Sequence, residues 1–205
     1  WFAKFHTSPT VFFLAIAILT VIILFQISRE EFVLFSTGGM TMGSELLVVF
    51  AFQIYFGYIY LQIGIIITLF LAGLLPGAWI GSRLRHQGRR LLAFTDVLLI
   101  ACLLLFILAI TGFADRLPIA FYLAFGFAVS LTCGFQFPVA LHLKGGDNTA
   151  ATRSFSADLM GAAWGTLLTS VVLIPYVGIL GTAGALIVLK LASLILISTG
   201  KTKQR

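Results

Sequence analysis

The chain has 205 residues, of which 60% are hydrophobic and only 10% are charged. A soluble domain carries about 25% charged residues, so this composition excludes a water-covered globular surface and predicts that lipid is the solvent. The formal net charge of +6 is concentrated in short segments between apolar runs. That distribution is typical of membrane topology rather than of nucleic-acid binding.

The apolar runs are long enough to cross a bilayer, whose hydrocarbon core needs about 20 helical residues. Residues 9–27 predict a first transmembrane helix, which with the preceding residues forms an N-terminal segment, 1–31. The run 32–81 is too long for one crossing, because a single helix of that length reaches about 75 Å against a core of about 30 Å. It therefore predicts two helices, with the break at 57–62, where tyrosines suit the headgroup level.

Polar loops at 82–90 and 144–154 divide the rest of the chain. Between them the sequence predicts helices over 91–113 and 118–143. The last apolar stretch, 156–198, again needs two crossings, with a turn near 175–178. The prediction is an all-α polytopic membrane protein with about seven transmembrane helices. One helix precedes a six-helix bundle over 32–200, and a basic tail follows at 201–205.

The basic residues predict the orientation of these helices. With the N-terminus outside, the outer side holds Lys4 and Arg116, and Lys190 is intramembrane. The inner side then holds Arg29, Arg83, Arg85, Arg89, Arg90, Lys144, Arg153, Lys201, Lys203 and Arg205. Because positive charge favours the cytoplasmic side, the C-terminus is expected in the cytoplasm of a bacterial cell, with the chain in its inner membrane.

Small residues recur every four positions in two of the predicted helices. Such faces let helix backbones approach closely in lipid, where no hydrophobic force drives helices together. The repeats indicate packing inside the bundle or docking of another subunit. The residues involved are Gly73, Gly77 and Gly81 in one helix and Gly161 and Gly165 in the other.

Polar residues at membrane depth are costly, and they are usually paired or functional. Glu45 and Gln53 lie two turns apart on one helix, and Gln136 lies beside Pro138. These three residues form a candidate intramembrane polar site. For Glu45 and Lys190, three readings stay open: a structural ion pair, a substrate or proton site, and a misplaced helix boundary.

The partner of Lys190 is predicted from helix depth. Lys190 lies about 12 Å from the cytoplasmic end of its helix, and its stem reaches toward that side. Asp158, in the first turn of the next-to-last predicted helix, is the favoured partner over the deeper Glu45, because the last two predicted helices share a tight hairpin. Asp96 is also shallow. Glu45 is then left protonated or hydrogen-bonded to an amide such as Gln136. A second interpretation of Asp158 is an acid that complements the helix dipole.

Catalytic and cofactor signatures are lacking in these residues. The sequence has no phosphate-binding loop, no cluster of metal ligands and no nucleophile facing a base. We therefore expect a non-enzymatic protein without catalytic residues, cofactor or metal. The expected partners are the lipid bilayer and other membrane subunits, and no nucleic acid.

Two stretches resemble a known family. The first carries a glutamate-bearing helix, an aromatic and glutamine segment and then a glycine-rich helix, with Glu45, Phe52, Gln53, Gly57, Tyr58, Tyr60 and Gly64. The second consists of 134–138 (GFQFP) and 156–165 (SADLMGAAWG). Both resemble the membrane portion of bacterial fused spermidine synthase-like proteins, and the resemblance covers most of residues 30–195.

The loop between two of the predicted helices has a second resemblance. Gly81, Gly88, Arg89 and Arg90 match the loop that follows the second helix of a major-facilitator half, although Arg85 stands where that family has an aspartate. The resemblance implies that helices two to seven form a six-helix unit like one such half.

The resemblances imply three possible functions. The first is a membrane subunit or anchoring module of a larger assembly. The second is a carrier for a small cation such as a polyamine. The third is the membrane half of an aminopropyltransferase-like enzyme, whose glycine-rich nucleotide motif and acidic polyamine contacts residues 1–205 do not supply.

Overall fold

The computed structural model describes residues 27–57, 60–84, 88–113, 117–143 and 148–199, together with Val11, Leu14, Ala15 and Ile18. The remainder of the predicted helix 9–27, the loop that holds Gly145 and the basic tail 201–205 lie outside the described residues. All regular secondary structure in the described part is helical. Five helical runs there are long and apolar enough to cross a membrane, which indicates a membrane-spanning protein.

Six α-helices and one π-helical segment make up the described bundle. We number them α1 (Arg29–Phe56), α2 (Tyr60–Arg83), α3 (Gly88–Phe113), α4 (Ile119–Leu143), α5 (Asn148–Leu167) and α6 (Ile174–Ser198). The π-helical segment, Leu168–Leu173, joins α5 to α6.

Local signals explain both ends of α1. Ser28 and Glu31 form a capping box, in which the Ser28 backbone N–H donates to Glu31 Oε2 at 2.8 Å and the Glu31 N–H donates to Ser28 Oγ at 3.4 Å. At the other end, Gly57 adopts a positive φ of 78° and its N–H donates to the Gln53 carbonyl at 3.2 Å. The predicted break at 57–62 coincides with this C-cap, but α1 begins at Arg29 rather than at residue 32.

Two other helices begin earlier than the sequence predicted. Helix α3 begins at Gly88 rather than at residue 91, and α5 begins at Asn148 rather than at residue 156. Both starts lie in segments whose polarity indicated loops. Helices of membrane proteins extend beyond the hydrocarbon core into the polar headgroup layer, so a polar composition does not end them. These shifts change the depth assigned to Asp96 and Asp158.

The run Asn148–Ser198 is helical except at Gly178, inside α6, where the chain reverses direction. Gly178 has a non-helical backbone, with φ 73° and ψ −175°. Before this residue, Gly161 packs on Phe35 and Thr169 faces Gly43, so the chain runs parallel to α1. After it, Leu186 faces Gly43 and Leu189 faces Gly39, so the chain runs antiparallel to α1. The predicted turn at 175–178 therefore coincides with a reversal.

The bundle repeats one three-helix arrangement twice. Helix α1 packs most extensively on α5, as α4 packs on α2, and α1 contacts α6 as α4 contacts α3. If α1, α2 and α3 are exchanged with α4, α5 and α6, each of these contacts becomes its counterpart. The contacts between α3 and α6 and between α1 and α4 are unchanged by the exchange. Each unit has three helices that alternate in direction, so the first helix of the second unit runs opposite to the first helix of the first unit. The two units therefore have inverted topology.

The five repeated glycines lie in the two tightest interfaces. A Cβ placed on Gly77 would collide with the Leu131 carbonyl of α4, and one on Gly161 would collide with the Phe35 carbonyl of α1. Gly73 and Gly81 meet Ser130 and Phe135 of α4, and Gly165 meets Gly39 of α1. Direct backbone contact of this kind is what small-residue faces provide in membranes.

The interior of the bundle differs between its two ends. Toward the α1–α2 and α3–α4 connections, aromatic rings fill the centre: Phe52 and Tyr122 lie 5.5 Å apart and Phe106 and Phe125 lie 4.4 Å apart, centroid to centroid. Toward the opposite end, the centre is polar and holds the buried lysine. The polar half is the candidate site.

Candidate functional site

Lys190 is fully buried at the point where four helices meet. Its ammonium nitrogen lies 3.0 Å from Asp96 Oδ1 on α3 and 3.0 Å from Gln136 Oε1 on α4. It also donates to Thr37 Oγ1 at 3.0 Å and lies 3.3 Å from Ser36 Oγ, both on α1. The cation is therefore enclosed by acceptors from every helix that faces it.

Asp96 and Gln136 complete the network without an unpaired atom. Asp96 Oδ2 accepts from Ser193 at 2.8 Å, and its Oδ1 accepts from Gln136 Nε2 at 2.7 Å. The Gln136 amide also donates to Thr95 at 2.7 Å, and its carbonyl accepts from Thr37 at 2.6 Å as well as from Lys190. An amide has two donors and two acceptor positions, and Gln136 uses all four.

The side chains of this network are shielded from solvent and their hydrogen-bonding positions are occupied, which limits what the network can do chemically. Asp96, Gln136 and Lys190 each have 0% exposure. A buried ion pair with all its hydrogen bonds made holds its helices in one register, whereas removal of one partner leaves an uncompensated charge. This arrangement joins α1, α3, α4 and α6 and offers no vacant coordination position for a ligand.

The predicted pairing of Lys190 with Asp158 is wrong. Lys190 pairs with Asp96, and α6, which carries the lysine, makes few contacts with α5, which carries Asp158. Asp96 lies eight residues after Gly88 and Lys190 eight residues before Ser198, so both sit about 12 Å from the same end. Asp158 lies ten residues after Asn148, about 15 Å from the start of α5, and is not in a first helical turn. Its interpretation as a helix-start acid is therefore also wrong.

Asp158 lines a groove whose lining does not include Lys190. The groove lies between α1, α2, α4 and α5, has a volume of about 390 Å³ and is lined also by Thr37, Thr41 and Cys133. Asp158 is half-buried there. Among the described residues, no side chain makes a hydrogen bond or ion pair with its carboxylate. Thr37 is shared, because its hydroxyl contacts Lys190 and it also borders the groove.

The predicted polar site of Glu45, Gln53 and Gln136 does not assemble. Gln136 belongs to the lysine network, so it is not the partner of Glu45. Glu45 is half-buried and Gln53 is exposed, both further along α1. Glu45 lies seven residues after Gly38, a spacing that puts both on one helix face, and Gly38 borders the groove. Glu45 therefore continues the groove face.

Sequence reasoning missed the hydroxyl groups of the site. Ser36, Thr37, Thr95 and Ser193 are buried contacts of the charged pair. The usable signal was spacing: Thr95 precedes Asp96 directly, and Ser193 lies three residues after Lys190, on the same helix face. Small hydroxyl residues are common in membrane helices, so this signal gains weight only beside a buried charge.

In the part of the chain that the structure describes, no three His, Cys, Asp or Glu side chains cluster as the ligands of a metal ion would. Comparison of the chain with protein-family models, with curated proteins and with solved structures finds no significant match. The functional argument therefore depends on the geometry of this bundle.

Proposed function

We propose that this chain is a non-enzymatic integral membrane subunit, or anchoring module, of a larger bacterial inner-membrane assembly. The observation that carries the proposal is Asp158, which lines an open groove, lies about 15 Å from the start of α5 and makes no hydrogen bond or ion pair with another described residue. A charged side chain at the centre of a membrane helix costs about 2.5–3.5 kcal/mol on insertion scales. A partner helix that donates a hydrogen bond or a positive charge to Asp158 removes this cost.

The inverted repeat supports the same proposal. Two three-helix units of opposite topology within six helices are the construction of one major-facilitator half. This agrees with the resemblance of the loop with Gly81, Gly88, Arg89 and Arg90 to a loop of a major-facilitator half, which implied a six-helix unit. In transporters of that construction, a six-helix half works together with a second half. A chain with one such unit is suited to docking against another membrane-embedded unit.

The proposed topology has seven transmembrane helices, with the N-terminus outside and the C-terminus cytoplasmic. Two ion pairs support the alternation of helices. Arg89 lies 4.0 Å from Glu30, and Arg153 lies 2.9 Å from Glu31. These contacts bring the starts of α1, α3 and α5 to one end of the bundle, the end that carries most of the basic loops.

Native mass measurement of the particle extracted in a mild detergent tests the subunit proposal. The wild-type particle should be heavier than one 22.3 kDa chain with its bound lipid. Asp158→Leu should release the partner, because the groove loses its acceptor. Ser156→Ala is the matched control, since Ser156 is exposed on the same helix. A monomeric wild-type particle, or a partner retained by Asp158→Leu, contradicts the proposal.

A second candidate function is transport of a small cation such as a polyamine. The observation that favours it is the grouping of one carboxylate with the Thr37 and Thr41 hydroxyls around a groove of about 390 Å³. Oxygen ligands of this kind suit an ammonium group. Uptake of labelled spermidine into proteoliposomes, abolished by Asp158→Asn and unchanged by Ser156→Ala, supports transport. Absence of uptake by the complete particle contradicts it.

A further inference from the structure

Two aspartates lie well inside the helices of this bundle, and only one of them has a cation beside it. Asp96 is about 12 Å from the start of α3, and its carboxylate lies 3.0 Å from the Lys190 ammonium. Asp158 is about 15 Å from the start of α5 and makes no hydrogen bond or ion pair with another described residue. The charge of Asp158 is therefore the one that the described bundle leaves without compensation.

Lys190 has no donor left for a second carboxylate. An ammonium group has three N–H donors, and four buried acceptors surround this one at 3.0–3.3 Å, from Ser36, Thr37, Asp96 and Gln136. Within residues 1–205, no other lysine or arginine lies inside an apolar run. A second copy of the chain therefore has no intramembrane cation to offer Asp158.

The inverted repeat shows that the acid at this groove is one-sided. A Cβ placed on Gly38 of α1 would collide with the Asp158 carbonyl of α5, and one placed on Gly134 of α4 would collide with the Leu74 carbonyl of α2. Because the repeat exchanges α1 with α4 and α5 with α2, Asp158 and Leu74 occupy equivalent positions. Both line the groove, which therefore lies between the two units. Among the described residues of its lining, Asp158 is the one charged side chain.

The walls around Asp158 are largely apolar. They include Leu74, Leu159 and two phenylalanines, Phe137 and Phe155, whose rings lie 6.3 Å apart, edge to face. An occupant that matches this lining carries one positive charge at the end of an apolar stem. Lysine and arginine side chains have this form, because their methylene stems cover apolar surface while the charged group reaches a polar partner.

We propose that the occupant of this groove is a transmembrane helix of a different protein, which places a lysine or arginine against Asp158. The inference rests on the proposed function as a membrane subunit and adds the chemistry of the partner. An opposite charge compensates an ionised group inside the membrane, whereas a neutral donor such as a serine hydroxyl leaves the charge in place. Asp96 and Lys190 form such a pair within the bundle itself.

The substitution Asp158→Asn tests the charge, because it keeps one carbonyl acceptor and nearly the same volume. Native mass measurement over a dilution series in mild detergent gives the Kd of the complex. Asp158→Asn should raise this Kd about thirtyfold or more, since it removes one member of a buried charge pair. It should leave the thermal unfolding midpoint of the chain unchanged, because Asp158 has no partner within the described bundle.

Ser156→Ala, on the exposed side of the same helix, is the matched control and should leave the Kd unchanged. A complex that Asp158→Asn does not weaken overturns the inference, while a wild-type particle heavier than one chain still supports the subunit proposal. A monomeric wild-type particle contradicts both. The two failures are therefore distinguishable.

Competition by a small amine tests the same point in the wild-type particle. Phenylbutylamine carries one ammonium group on an apolar stem, and phenylbutanol has a similar shape with a neutral hydroxyl. The amine should release the partner at a concentration at which the alcohol does not. The released component is identified by mass and sequence. A protein with a lysine or arginine inside an apolar run of about 20 residues supports the inference. A second 22.3 kDa copy, a lipid, a protein without such a residue, or equal release by amine and alcohol overturns it.

Discussion

Asp96 and Lys190 form an ion pair of 3.0 Å at equal depth on two helices, α3 and α6, that occupy equivalent positions in the two inverted units. Their side chains are fully buried, and the hydroxyl of Ser193 and the amide of Gln136 satisfy the remaining oxygen positions of the carboxylate. The pair therefore connects the two units across the centre of the bundle. Its energetic role is tested by removing one charge or both.

Asp96→Asn should destabilise the folded bundle by about 3–5 kcal/mol, because it leaves the Lys190 ammonium buried without a counter-charge. The measurement is the free energy of unfolding in detergent, from denaturant titration followed by circular dichroism. Glu45→Gln is the control, since Glu45 is half-buried and outside the network. This control should change the free energy of unfolding by about 0.5 kcal/mol or less.

Removal of both charges should be milder than removal of one. In the double variant Asp96→Leu with Lys190→Met, apolar side chains of similar volume replace the pair, and such replacements are often neutral or stabilising. We expect the double variant to recover more than half of the stability that Asp96→Asn loses. A double variant as unstable as the sum of its single variants would show that the pair does not act as a unit.

The helices of this bundle were predictable, but the partners inside it were less so. Hydrophobic runs and glycine spacing located the described helices and the faces that pack, as Gly77 and Gly161 illustrate. Helix starts in polar segments were harder, because Gly88 and Asn148 lie in sequence typical of loops. A start displaced by three residues moves a side chain about 4.5 Å along the axis. The partner of Lys190 was missed for a different reason: α5 and α6 were expected to pack as a tight hairpin, whereas they make few contacts.

The inverted repeat and the groove at Asp158 were not predictable from the residues. The direction in which Asp158 points depends on which helices flank α5, and periodicity along one helix does not specify its neighbours. The scarcity of contacts between α5 and α6 likewise follows from how both helices pack on α1. Both features are properties of helix arrangement, which a single sequence encodes only through distributed packing.

Gly77→Leu should disrupt the α2–α4 interface, because even a Cβ at this position collides with the Leu131 carbonyl. Overpacking of a tight interface costs about 1–3 kcal/mol or more. Gly64→Leu lies on the same helix, and a Cβ there meets no atom within 4 Å. It should leave the thermal unfolding midpoint near that of the wild type. Equal midpoints for both variants would exclude close backbone contact at Gly77.

Gly161→Leu should have the same effect on the α1–α5 interface, where the Phe35 carbonyl blocks a side chain. Gly184→Leu on α6 is its control, with no atom within 4 Å of an added Cβ. The variants also bear on assembly, because α1 and α5 form two walls of the Asp158 groove. We expect Gly161→Leu to lower both the unfolding midpoint and the native mass, and Gly184→Leu to lower neither.

Gly178→Ala should destabilise the bundle by about 1–3 kcal/mol, since the backbone at φ 73° and ψ −175° is in a region that only glycine adopts readily. Gly112→Ala should have the opposite sign. Gly112 is inside α3 with open space around it, and alanine is favoured over glycine in a helix by up to about 1 kcal/mol. Denaturant unfolding of both variants measures the difference. Equal effects would indicate that the reversal does not depend on Gly178.

Single cysteines at opposite ends of the bundle should react from opposite sides of the membrane. Leu84, at the end of α2, and Ile119, at the start of α4, have similar exposures of 45% and 42%. In a background where Cys102 and Cys133 are replaced by alanine, Ile119→Cys should react with an impermeant maleimide added to intact spheroplasts. Leu84→Cys should react only after permeabilisation, because it lies beside the basic loop that the positive-inside rule retains in the cytoplasm.

A reporter fused after Arg205 should likewise be cytoplasmic, and a cysteine at Lys4 should react from outside. Labelling of Lys4→Cys from the cytoplasmic side alone would show that the predicted helix 9–27 does not cross the membrane. Labelling of position 84 from outside and of position 119 only after permeabilisation would show that the bundle has the opposite orientation in the membrane.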